Sequence, residues 1–281
     1  MNINFNKIFN FYSILTIFFS MIFIVFFIFP LYWQITTSIK IRENATLIPP
    51  QLIPNPLDFS LYKSILFDTY FPNTVKNSFF TSTLTTISCL TFSTFASYAI
   101  ARLDVIGSRK ILFGVLVISM LPPVSIVGPL FILLRQAELI NSRLGIVMAY
   151  TAFFLPFTMW FLSSFFKTIP KELEEAALID GCTHFQIIYK IIIPLSAPAI
   201  FTIGVMIYIF TWNEFLFSFT FLSTPEVMTY PVGLRLFEGM WDVPWPELCA
   251  ASTIVVFPII ILVLLAQKFI IQGLTAGAIK G

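Results

Sequence analysis

Between Lys7 and Lys40 the chain carries no charged residue, and the run is crowded with Phe, Ile and Leu. About 20 apolar residues suffice to cross a bilayer, so this run alone demands a lipid environment. Similar runs recur. Expected spans lie within Phe11–Trp33, Asn77–Ile100, Ile111–Leu134 and Leu144–Phe166, then from near Pro198 to near Leu222 and over Leu248–Gln267. In lipid every backbone polar group needs an internal partner, which only helices and closed barrels supply. The strand-period alternation of a barrel is absent. The expectation is an all-α membrane protein, one transmembrane domain over 1–281 with six transmembrane helices. No Ala-x-Ala site follows the first run, which is read as a retained span rather than a removed signal.

Bulk properties remove the other classes. Hydrophobic residues make up 58% of the chain and charged ones 11%, with a mean hydropathy of +0.91, outside the range of soluble domains. A net charge of +2 with no basic patch excludes nucleic acid as a partner. Cys89, Cys182 and Cys249 show no paired spacing, hence neither a disulfide framework nor a metal site. No glycine-rich phosphate loop ending in Lys-Ser or Lys-Thr occurs, so the chain cannot cradle ATP by itself. The one histidine, His184, is read as a solvated loop residue, and no nucleophile–base arrangement is visible. No catalytic residue is expected, and the chain is not read as an enzyme.

Within the second span Ser78, Thr81, Ser82, Thr85, Ser88, Thr91, Ser93, Ala96 and Ser97 form a small-residue surface. Such surfaces let helices approach closely in lipid, which places this helix centrally. Hydroxyls lining a polar path are the alternative. Pro122, Pro123 and Pro129 interrupt the third span and predict a kink.

The most hydrophilic long segment runs from Lys167 to Ser196 and reads as two short helices joined by a glycine. Pro170 suits a first helical turn, where a missing N–H costs nothing. Glu172, Glu174 and Glu175 then sit at the positive end of the helix dipole. Gly181 is placed for the left-handed position that ends a helix. Thr183 with Gln186 fits a capping box opening the second, which Pro194 and Pro198 should close. Surface-lying amphipathic helices are rich in Lys and Arg. This acidic one is better read as a protein-docking element.

The spacing of this segment carries a resemblance. Glu175-Ala176-Ala177, then Gly181, Ile191 and Ile193-Pro194, match the cytoplasmic signature of bacterial ABC-importer permeases at every offset, with Ile193 where Leu is usual. Together with Ile169–Gly181, Trp212–Leu222 and Gly273–Gly281, the chain resembles the carbohydrate-uptake, maltose-permease (MalG-like) branch over nearly its whole length. The resemblance implies a multi-pass protein of the bacterial cytoplasmic (inner) membrane with both termini cytoplasmic. The lysine and arginine count gives only nine inside against seven outside, a weak bias. It implies that residues 167–196, between helices 4 and 5, couple to an ATPase, through Glu172, Glu175, Ala176, Ala177, Asp180, Gly181 and Pro194. The implied partners are a homologous second permease, two ATP-binding subunits that hold ATP and Mg, an extracytoplasmic solute-binding protein and lipid. The function implied is import of a carbohydrate or polyol by alternating access. A self-sufficient secondary transporter is the alternative, but no internal repeat supports it.

Two further sites are candidates. Glu214 is the one carboxylate well inside a span, about 24 Å along it counting from Pro198, and with Trp212 and Asn213 it forms a possible substrate path. The external loop, residues 223–247, holds Trp241, Asp242 and Trp245 beside a Pro-rich turn. It is expected to contact the binding protein rather than merely join two helices.

Overall fold

The computed structural model describes residues 5–103, 105–239 and 243–275. Their regular structure is all helical, with no strand among them. Two compact units appear: Met1–Thr69 with Phe237–Ile254, and Tyr70–Leu236 with Val255–Gly281.

The first unit is led by α1 (Phe5–Ser38). From Ser13 to Ser38 it is about 39 Å long at 1.5 Å per residue, enough to cross a membrane. Its apolar side chains from Ile14 to Phe29 are exposed, as a lipid-facing helix requires. Past its end the chain is tied back by local bonds. The Ser38 and Tyr62 hydroxyls lie 2.6 Å apart, and the Asp58 N–H donates to the Ile39 carbonyl at 2.9 Å. The short helix α2 (Ser60–Phe67) follows. Lys40 is buried with its ammonium 4.3 Å from the centre of the Trp33 ring, a cation–π seat.

The second unit is built around α3 (Phe71–Arg102), 32 residues without a proline beyond its first turn. Ser78, Thr81, Ser82, Thr85, Ser93 and Ser97 are buried, confirming its central place. Their hydroxyls largely serve packing. Thr81 bonds back to the Asn77 carbonyl at 2.9 Å, and Ser97 crosses to the Met159 carbonyl at 2.9 Å.

The third expected span is not one helix. α4 (Ser108–Ser119) and α5 (Pro123–Gln136) meet at 97°. The ring of Pro123 pushes the preceding residue out of the helical region, and Pro122 accordingly has ψ 135°. The fourth span is α6 (Arg143–Phe166), capped by the Ser142 hydroxyl, which accepts from the Gly145 N–H at 3.0 Å. The 167–196 segment contributes α7 (Glu172–Ile179), α8 (His184–Ile187) and α9 (Ile193–Leu195). α10 (Ala197–Trp212) then leaves at 79°. The fifth span thus ends at Trp212, ten residues short of the expected Leu222. Asn213–Phe215 break the helix, and only the short α11 (Leu216–Phe221) follows. Next come α12 (Tyr230–Arg235) and α13 (Trp245–Thr275), the latter running on into the sixth span. The six continuous helices expected are therefore four, with two bent pairs that make six if each pair is one span.

Gly204 lets α10 approach α3: a Cβ there would stand 3.1 Å from Leu90 Cδ1 and 3.8 Å from Thr86 Cγ2. Gly204→Leu should overpack this contact and cost about 1–3 kcal/mol. Thermal unfolding in detergent should show a lowered midpoint, and an unchanged one would mean that the helices are not in contact there.

Candidate functional site

The 167–196 segment is shaped by its own backbone chemistry. α7 opens with the Lys171 carbonyl accepting from the Glu174 and Glu175 N–H groups at 2.9 and 3.0 Å. It closes on Gly181, whose φ of +80° is the left-handed conformation anticipated from sequence. There the Cys182 N–H reaches the Ala177 carbonyl at 2.9 Å and the Gly181 N–H the Leu178 carbonyl at 3.0 Å. That pair is a Schellman cap. Directly after it the expected capping box forms: the Gln186 N–H donates to Thr183 Oγ1 at 3.3 Å and the Thr183 N–H to Gln186 Oε1 at 2.8 Å. Pro194 does not stop the helix. A π turn over Ile188–Ile192 precedes it and relieves the clash of its ring with the preceding turn.

One side of this helical pair is buried. Ala177, Ile187, Ile188 and Ile192 join Leu162, Phe166, Ile203 and Ile207 in one apolar core. The opposite side is open: Glu172, Glu175, Ala176, Asp180, Gly181 and Pro194 are exposed, and Ile179 is 86% exposed. Of the two alanines expected to share the docking face, Ala177 turns inward, because successive helical residues differ by about 100° in direction.

The seat of this pair includes a polar cluster that sequence reasoning missed. Arg102, at the end of α3, places Nε 2.8 Å from Glu174 Oε1 with its side chain 2% exposed. The same guanidinium donates to the Ile169 carbonyl. Tyr98, one turn earlier, donates to Glu174 Oε2 at 3.2 Å and stands 3.2 Å from His184 Nδ1. His184, exposed as expected of a loop residue, thus also has a partner. When Tyr98 donates to Glu174, Nδ1 of His184 must carry the hydrogen. The cluster holds α7 and α8 to α3 by charge and hydrogen bonds at once.

The second candidate group is brought together differently. Trp212 is 1% exposed, stacked on Tyr208 with ring centres 5.9 Å apart and leaning on Tyr230 at 5.3 Å. Asn213 accepts from the Tyr230 hydroxyl at 2.7 Å and donates to the Ile209 carbonyl at 2.8 Å. Glu214 receives the Phe217 and Ser218 N–H groups at 2.9 and 3.2 Å. The carboxylate, one residue before the N-cap Phe215, is therefore engaged by N–H groups of the first turn of α11.

In the expected external loop, Trp241 and Asp242 lie outside the described residues, and Trp245 opens α13 half-exposed. Residues 223–230 are pinned from below. Asn77 donates to the Glu226 and Met228 carbonyls at 2.9 and 3.0 Å, and Arg143 to Asn77 Oδ1 at 3.0 Å. Asn141 Oδ1 accepts from the Ser223 N–H at 2.9 Å.

Residues 107–275 match the family described as binding-protein-dependent transport system inner membrane component. The chain belongs to this family. It is 37% identical to the trehalose/maltose transport system permease protein MalG of Thermococcus litoralis, over 90% of this chain and 92% of that one. It is 36% identical to the sulfoquinovosyl glycerol transport system permease protein SmoH of Agrobacterium fabrum, over 90% and 89%. The trehalose permease SugB of Mycobacterium tuberculosis is 35% identical over 90% and 92%. The fold matches that of a chain in a bacterial ABC transporter importing the acidic polysaccharide alginate. There the TM-score is 0.82 at 24% identity, with 95% of this chain and 98% of that one covered. A second chain, from an alginate transporter in complex with a pentasaccharide-bound periplasmic protein, matches at 0.71 and 14%, covering 94% and 95%. The bent pairs α4–α5 and α9–α10 thus belong to a membrane permease.

Removing one partner of a buried ion pair costs about 3–5 kcal/mol, whereas replacing both by apolar residues is often neutral. Arg102→Met should therefore loosen the 167–196 segment and speed tryptic cleavage at Lys167 and Lys171. Arg102→Met combined with Glu174→Leu should restore much of the protection. Equal cleavage rates in all three proteins would show that the pair does not hold the segment.

Proposed function

We propose that the chain is one of two membrane-spanning subunits of an ATP-driven, binding-protein-dependent importer for a carbohydrate or related polyol. Family membership supports the class. The names of MalG, SugB and SmoH support the solute class, since all three refer to sugars or glycosides. ATP and Mg belong to two partner ATPase subunits, and a homologous second permease and an extracytoplasmic binding protein complete the assembly. The protein is taken to lie in the bacterial cytoplasmic membrane with both termini and the 167–196 segment inside.

The observation that carries the mechanism is the two-sided construction of that segment. Its inner side is locked to α3, α6 and α10. Its outer side presents Glu172, Glu175, Asp180 and the bare Ile179, an acidic rim around an apolar knob suited to a groove on an ATPase. Closure of the ATPase pair would carry α7 with it. Because α7 is bonded to Arg102 and Tyr98, α3 would move too and open the bundle outward. Trp212, Asn213 and Glu214 would flank the solute path at its outer end while holding the turn below α11. Trp241, Asp242 and Trp245 would meet the binding protein.

Gly181→Val tests the docking. A β-branched residue at φ +80° costs about 1–2 kcal/mol locally and tilts α7 against α8. The variant should insert and assemble but lose solute-stimulated ATP hydrolysis and uptake in proteoliposomes. Full coupled activity would refute the docking role. Orientation is tested separately, with Ser223→Cys placing a thiol at an exposed position after α11. An impermeant thiol reagent on intact cells should label this cysteine and spare Cys182. The reverse labelling pattern would overturn the orientation.

A further inference from the structure

A cavity of about 460 Å³ lies at one end of the second unit, lined by Arg102, Ser108, Arg109, Lys167 and Lys171. The end of α3, the start of α4 and the chain just beyond α6 meet there. We propose that this cavity binds the phosphate of an anionic lipid headgroup.

Arg102 is already paired with Glu174, but Arg109, Lys167 and Lys171 have no carboxylate partner among the described residues. Cations gathered around one cavity repel each other, and an anion held between them converts that repulsion into attraction. The cavity falls within the usual size of small-ligand sites. α4 adds a favourable field: its first turn follows Gly107, which supplies no side-chain cap, so the positive helix end stays open to an anion. A lipid is favoured over a soluble anion by what surrounds the charges. Ile106 is 98% exposed and Phe113 68% exposed beside the cavity's own Arg109, an apolar surface fit for acyl chains. Basic pockets at the ends of spanning helices suit anionic headgroups, each cation being worth roughly a fivefold change in affinity. The inference needs only that these helices span a membrane, and does not rest on ATPase docking at 167–196.

The test uses the assembled importer, delipidated in detergent and titrated with fluorescent phosphatidylglycerol, phosphatidylcholine or inorganic phosphate. Phosphatidylglycerol should bind and phosphatidylcholine should not compete for its site. Arg109→Gln with Lys171→Gln should weaken phosphatidylglycerol binding roughly twenty-five-fold, while Lys190→Gln with Lys268→Gln, an equal loss of charge elsewhere, should leave it unchanged. Equal weakening in both double variants would overturn the proposal, leaving only general surface charge. So would inorganic phosphate competing as well as the lipid, which would mark a free-phosphate site. Loss of the ATPase subunits from the Arg109/Lys171 variant with lipid binding intact would assign the cations to a protein partner instead. Should that variant fail to assemble, Lys171→Glu decides by the same titration: unchanged lipid affinity overturns the assignment.

Discussion

Every break in a membrane-embedded helix strands backbone groups that lipid cannot satisfy, and the form of this protein follows from how it meets that demand. At the α4–α5 corner the chain turns tightly, with the Leu121 N–H bonded to the Ile118 carbonyl at 3.1 Å and the Ser125 N–H to the Pro122 carbonyl at 2.9 Å. After α10 the work passes to side chains: the Glu214 carboxylate takes the Phe217 and Ser218 N–H groups, and the Asn213 amide donates to the Ile209 carbonyl. An ionisable residue within an apolar run is thereby accounted for by the backbone it completes. Between α7 and α8 a Schellman cap and a capping box stand back to back, so the sharp turn at Gly181 leaves few groups unbonded.

Polar groups that are buried for another reason gather at the two ends of α3. Near its start Asn77 and Ser78 hold the chain at 226–230, the Ser78 hydroxyl accepting from the Tyr230 N–H at 2.7 Å. Near its end Tyr98 and Arg102 hold α7 and α8. Between these ends its hydroxyls mostly bond within the helix or to α6, and its contacts with α6 and α10 are close-packed.

What the sequence disclosed depends on the range of the interaction. Uncharged runs located the long apolar helices because the preference for lipid acts on each residue independently of its neighbours in space. Gly181, Thr183 and Gln186 were legible because a cap is decided within about four residues. The break at Asn213 was not, since hydropathy is blind to a backbone turn that a carboxylate stabilises in an otherwise apolar run. Nor was the Arg102–Glu174 pair, whose members lie 72 positions apart: Glu174 read only as one of three acids at the positive end of a helix dipole. The contact of His184 with Tyr98, 86 residues earlier, was illegible for the same reason.

The contrast between α3 and its neighbours gives the architecture a mechanical sense. The pairs α4–α5 and α9–α10 are bent by 97° and 79° and can yield at their corners. α3 cannot yield in that way: its 32 residues form one helix, about 48 Å long, with no proline past the first turn. Because its two ends carry the bonds to 167–196 and to 226–230, a displacement of one loop reaches the other through a stiff rod rather than through a chain of side-chain contacts. The small residues along the rod keep α6 and α10 close while giving them few protruding side chains to catch on, which favours sliding or rotation of the helix as a unit. A bundle meant only to hold a pore open would gain nothing from a proline-free rod set beside two bent spans. A bundle that must move at both faces together would.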